Sequence, residues 1–124
     1  MPTDALTDLQ LAVMKALWEV GEGTVSDILA AITKSGRELA PTTVATMLQR
    51  LSKQGWVKHR RRGRQFLYRA KVSEKDAAKG ALVRVVRSFF GGRVSLLAAQ
   101  LLESEQLTPE DVEAIRQVLE KRGA

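Results

Sequence analysis

A chain of 124 residues, 44% hydrophobic and with a formal net charge of +6, is long enough for one compact domain or for a small domain with an oligomerisation arm, and too apolar for a disordered polymer. It contains no Cys, which excludes a disulfide framework and thiolate metal sites, and no apolar run approaches the roughly 18–20 residues of a membrane helix. With no basic leader at the N-terminus, these features fit a cytoplasmic protein without membrane insertion.

Leu9, Ala12, Val13, Ala16, Leu17 and Val20 recur at helical spacing and predict a first helix over residues 8–20. Thr7 is its N-cap, Gln10 completes a capping box, and Gly21 and Gly23 end it. A second helix is expected after the N-cap Thr24, running to Lys34, with Val25, Ile28, Leu29 and Ile32 inward. A third opens at Pro41, where a missing N–H costs nothing, and ends near Gln54, with Gly55 in the left-handed position beyond it. Residues 56–60 and 65–70 read as two strands around a turn, Arg61-Arg62-Gly63-Arg64. Ser73 then caps a fourth helix reaching Phe90, with Ala78, Ala81, Leu82, Val85, Val86 and Phe89 inward, and Gly91-Gly92 breaks it. A fifth helix over 93–104 carries Val94, Leu97, Ala98, Leu101 and Leu102. Thr108-Pro109 starts a sixth, with Val112, Ile115, Val118 and Leu119.

Three helices followed by a hairpin make a winged helix-turn-helix, so the chain is expected to be mainly α, with a DNA-binding domain over residues 1–72. Residues 73–124 form three amphipathic helices with too little interior to fold alone. Their apolar positions, Leu82, Val85, Phe89, Leu97, Leu101, Leu102, Val112, Ile115 and Leu119, are expected to bury against a second copy and make a homodimer. Two-fold protein symmetry matches palindromic half-sites in double-stranded DNA.

The charge is segregated. Residues 1–72 hold 12 basic and 6 acidic side chains, whereas residues 73–124 hold 8 of each. Within the first part, residues 39–73 contain nine Lys and Arg and no Asp or Glu. Such clustering suggests a polyanion partner for the N-terminal half. At about 100° per residue, Val44, Met47, Leu48 and Leu51 fall on one side of the third helix. Thr42, Thr46, Gln49 and Lys53 fall on the other, flanked by Thr43 and Arg50. Hydroxyls, an amide and cations without an acid suit a helix in the major groove: Gln pairs with adenine, Arg with guanine, and a Thr methyl touches the thymine methyl. Thr42, Thr43, Thr46, Gln49 and Arg50 are therefore candidate base-reading residues. Lys53, Lys58, Arg60, Arg61, Arg62 and Arg64 are candidate contacts to the DNA backbone. Phe66 and Tyr68 share one strand face and are expected to pack under the wing, and Trp18 and Trp56 to enter the core.

Enzymatic signals are absent. The single His59 sits between Lys58 and Arg60 with no Asp or Glu within 14 residues to orient it as a base. No P-loop, metal-ligand cluster or cofactor motif is present, so neither cofactor nor metal is expected. The alternatives to a sequence-specific regulator are a non-specific nucleic-acid-binding module and a protein-interaction winged helix.

Several stretches resemble the penicillinase-repressor (BlaI/MecI-like) family of bacterial winged-helix regulators. They are Leu6-Thr7-Asp8-Leu9-Gln10 leading into Val13-Met14-Lys15-Ala16-Leu17-Trp18, then Thr24-Val25-Ser26-Asp27-Ile28, and Thr42-Thr43-Val44-Ala45-Thr46-Met47-Leu48-Gln49-Arg50-Leu51. The wing end Phe66-Leu67-Tyr68-Arg69, Phe90-Gly91-Gly92 and Leu101-Leu102-Glu103-Ser104 extend the likeness over nearly the whole chain. The resemblance implies a homodimeric transcriptional repressor whose C-terminal helices intertwine. In members controlling β-lactam resistance it also implies induction by a regulatory protease, and by position the cut falls near Gln100-Leu101. Those members carry Asn-Phe there, and this chain departs from that pattern. It also lacks the paired Cys of copper-responsive relatives, and Pro41 stands where an aromatic residue often precedes the two Thr.

Overall fold

All six expected helices form in the computed structural model, which describes Pro2 and residues 5–123. They are α1 (Asp8–Val20), α2 (Val25–Lys34), α3 (Pro41–Lys53), α4 (Glu74–Phe90), α5 (Val94–Leu102) and α6 (Pro109–Lys121). Three strands accompany them: β1 (Glu22–Gly23), β2 (Val57–Arg62) and β3 (Gln65–Ala70), in the antiparallel order β1-β3-β2. Two compact units divide the chain, Met1–Ala81 and Leu82–Ala124.

Capping explains where the first helices start. The Thr7 hydroxyl accepts from the Gln10 N–H at 3.1 Å, and the Gln10 side chain returns the bond to the Thr7 N–H at 3.0 Å. Thr24 and Asp27 form the same reciprocal box at the head of α2. Gln10 is also buried, and its amide donates to Gln54 Oε1 at 3.1 Å. The cap of α1 is thus tied to the C-terminal end of α3, the helix with the candidate reading face.

β1 was not expected from the sequence, because two residues carry no alternation to detect. Gly23 lets it form. A Cβ there would lie 2.8 Å from Val20 Cγ1 and 2.9 Å from Asp27 Cβ, so only Gly allows this close approach. β1 pairs with β3 through Glu22↔Arg69 and Gly23↔Tyr68. The wing is longer than the sequence suggested. Arg61 and Arg62 belong to β2 and pair with Phe66 and Gln65, leaving only Gly63 and Arg64 as the turn. Gly63 has φ 62° and Arg64 does not have positive φ, the sign pattern of a type II′ hairpin turn whose first central position takes Gly.

The core of the first unit joins Val13, Met14 and Leu17 of α1, Ile28 and Ile32 of α2, Val44, Leu48 and Leu51 of α3, and Trp56, Val57 and Tyr68 at the wing base. Ala77 from the first turn of α4 joins it, whereas Ala78 and Ala81, expected inward, are exposed. Trp18 is half-buried and donates from Nε1 to the Val72 carbonyl at 2.9 Å. The second unit is different in kind. Neither α5 nor α6 contains a buried residue, and Leu82, Val85, Phe89, Leu101, Leu102, Val112, Ile115 and Leu119 are all exposed in the single chain. No single helix among the described residues is long and apolar enough to cross a membrane.

Candidate nucleic-acid interface

Helix α3 presents the two faces its periodicity implies. Val44, Leu48 and Leu51 have no solvent exposure, and Met47 packs half-buried against them. On the opposite side Thr42, Thr46, Gln49, Arg50 and Lys53 are exposed or half-buried, as is Thr43. The buried stripe therefore fixes which side chains point outward. Thr42, Thr43, Thr46, Met47 and Arg50 border a shallow depression. The helix has no side-chain N-cap: Ala40 occupies that position and Pro41 follows it, so its first free N–H groups face outward without an intramolecular acceptor side chain. Such a terminus, at the positive end of the helix dipole, favours an anion.

The hairpin follows α3 after only Gln54, Gly55 and Trp56. Strand pairing sorts its side chains between two faces. Val57, His59, Arg61, Phe66, Tyr68 and Ala70 share one face, and Lys58, Arg60, Arg62, Gln65, Leu67 and Arg69 share the other. Near the helices the first face is core, through Val57 and Tyr68. Toward the tip it is exposed, and here Phe66 departs from expectation: it is 44% exposed rather than packed under the wing. His59 meets its ring edge-on at 4.9 Å, and the Arg61 guanidinium lies 5.7 Å from its centre. The ring supports a cation on the wing surface instead of filling a core position.

The candidate backbone contacts are not equivalent. Among the described residues Lys53, Lys58, Arg61, Arg62 and Arg64 form no ion pair, whereas Arg60 is engaged by Glu22 of β1 through Nε at 3.0 Å and Nη2 at 2.8 Å. The hydrogen bond from Arg60 lowers the Glu22 pKa below the usual carboxylate value, against a smaller opposing effect of desolvation, and the positive charges of Arg60, Arg69 and Arg62 add to the lowering. The same pairing raises the Arg60 pKa. Both partners are thus charged at neutral pH. The contacts of Glu22 and Gln54 were not foreseen from the sequence. Glu22 lies 35 residues upstream of β2, and only the unforeseen β1 brings it to the wing.

Among the described residues no group of three or more His, Cys, Asp or Glu could hold a metal ion. Of the C-terminal candidates, Leu97 is half-buried, and Gln100 and Leu101 are exposed in the last turn of α5.

The penicillinase repressor family model matches residues 6–121. The chain is similar to the penicillinase repressor of Bacillus licheniformis, with 28% identity over 116 residues, covering 94% of this chain and 90% of that protein. It is 22% identical over 120 residues to the methicillin resistance regulatory protein MecI of Staphylococcus aureus strain N315, covering 97% of each. The chain is also similar to the solution structure of monomeric Bacillus licheniformis BlaI in complex with the blaP half-operator, with a TM-score of 0.50 and 32% identity over 59% of this chain and 88% of that one. The chain belongs to the penicillinase repressor family of winged-helix proteins.

Proposed function

We propose that this protein is a homodimeric transcriptional repressor that binds a palindromic DNA operator, with α3 in the major groove and the basic wing on the flanking backbone. The observation that carries this reading is the acid-free outer face of α3 leading within three residues into a hairpin whose exposed cations, Arg60 apart, have no carboxylate partner among the described residues. A further support is the likeness of 59% of this chain to a BlaI structure solved in complex with the blaP half-operator. Arg50 and Gln49 would read base edges, with Thr42, Thr43 and Thr46 contacting thymine methyls or phosphates. Lys53, Lys58, Arg61, Arg62 and Arg64 would neutralise phosphates. A second copy would cover the apolar side chains of α4, α5 and α6, because Leu82, Phe89, Leu101, Leu102 and Leu119 are all exposed in the single chain and clustered apolar exposure marks a surface that meets a partner. A regulatory protease cutting at Gln100-Leu101 would separate α6 from α4 and most of α5, and so divide that covered surface.

Arg50→Ala is expected to relax base preference at one position per half-site and to cost about 1–3 kcal/mol on the preferred sequence. Competition against duplexes carrying each base at each position measures this. A uniform loss over all sequences would make Arg50 a phosphate contact instead. Replacing Arg61 and Arg62 together by Ala is expected to weaken preferred and random duplex alike. It should flatten the dependence of log K on log salt by about 0.9 for each phosphate left without its cation. An unchanged slope would remove the wing from the interface.

A further inference from the structure

The outer face of the wing sheet carries Lys58, Arg60, Arg62 and Arg69 and one acid, Glu22. Glu22 stands directly opposite Arg69, yet its two oxygens are taken by Arg60, which reaches across β3 from the far strand. This geometry uses the guanidinium fork that would otherwise grip a phosphate. It is held from both ends. Gly23, which no other residue can replace without clashing with Val20 and Asp27, fixes β1 against the helices, and the Arg60↔Leu67 pairing fixes the root of Arg60.

We propose that Glu22 is a specificity-determining residue of DNA binding, one that holds Arg60 out of the set of phosphate contacts and so limits affinity for duplex of arbitrary sequence. This rests on the DNA-binding reading given above. On random duplex the protein can settle wherever most cations meet phosphates, so every free guanidinium adds to affinity. On an operator α3 fixes the register, and a free Arg60 adds only if a phosphate happens to lie within its reach. A carboxylate that occupies Arg60 therefore lowers non-specific binding more than operator binding. The pair also bridges β1 and β2 across the sheet.

The test compares the full-length wild type, Glu22→Gln, Arg60→Gln and the double variant, titrated with a random-sequence duplex over a range of salt. Glu22→Gln is expected to bind random duplex severalfold more tightly, with a slope of log K against log salt steeper by about 0.9, the value for one more neutralised phosphate. The double variant should return to the wild-type slope. Both side chains lie at the surface, so circular dichroism should show all four proteins folded. Wild-type binding with an unchanged slope in Glu22→Gln overturns the role of Glu22 alone. So does uniformly weaker binding at constant slope, which would make the pair a brace of the wing and nothing more. A wild type with no salt-dependent duplex binding overturns the DNA-binding reading itself and the role of Glu22 with it.

Discussion

Phe89→Asp is expected to turn a dimer into a folded monomer and to lower affinity for an inverted repeat by about 10²–10⁴-fold, the advantage gained when two linked modules engage two sites. Phe89 is 79% exposed in the single chain, the most of any large apolar residue among those described. It lies on α4 with Leu82 and Val85, both also exposed. If a second copy covers this face, an Asp here places a charge with no partner among apolar side chains, which is strongly unfavourable. The first unit should be untouched, since its core ends at Ala77 on the same helix. Sedimentation analysis and titration onto a full repeat and a half-site check both parts. The variant should bind the half-site as the wild-type unit does and lose only the gain from the second half. A variant that still sediments as a dimer would take Phe89 out of the interface.

Leu48→Ala is expected to destabilise the first unit by about 2–5 kcal/mol, a large share of the roughly 5–15 kcal/mol that a native domain possesses. Leu48 has no solvent exposure and sits between Val44 and Leu51 in the stripe by which α3 docks on α1 and α2. Its neighbour Gln49 is exposed. Gln49→Ala should therefore change stability by less than about 0.5 kcal/mol while weakening duplex binding. Denaturant unfolding separates the two: Leu48→Ala should lower the midpoint at constant slope, and Gln49→Ala should not. Equal stability losses would mean that α3 is not oriented by its buried stripe, and the assignment of its outer face would fail.

The contrasting burial of these adjacent residues shows why the two faces of α3 were legible in the sequence. A helix with a four-residue apolar stripe has only one way to face the core, so burying Val44, Met47, Leu48 and Leu51 commits Thr42, Thr46, Gln49, Arg50 and Lys53 to the outside. Capping chemistry is equally local, and the boxes at Thr7 and Thr24 place the starts of α1 and α2. What escaped depends on contacts distant in sequence. Glu22 reaches Arg60 across 38 positions and Gln10 reaches Gln54 across 44, and nothing in the neighbourhood of either residue signals its partner. Phe66 escaped for a different reason. Alternation put it on the same strand face as Tyr68, but the sequence does not say how far the helices extend beneath a hairpin. Tyr68 is buried, whereas Phe66 stays largely exposed beneath the Arg61 guanidinium. The apolar spacing of α4 to α6 was legible, whereas in the single chain most of those positions are exposed.

Selection of duplexes from a random pool by the purified full-length protein, at roughly physiological salt near 0.15 M, most directly tests sequence-specific recognition by a two-fold dimer. The expected result is an inverted repeat whose half-sites are spaced to lie on one face of the duplex, about one helical turn or a multiple of it apart. Recovery of duplexes with no shared sequence would contradict it and leave the basic wing and α3 as a sequence-independent grip on DNA.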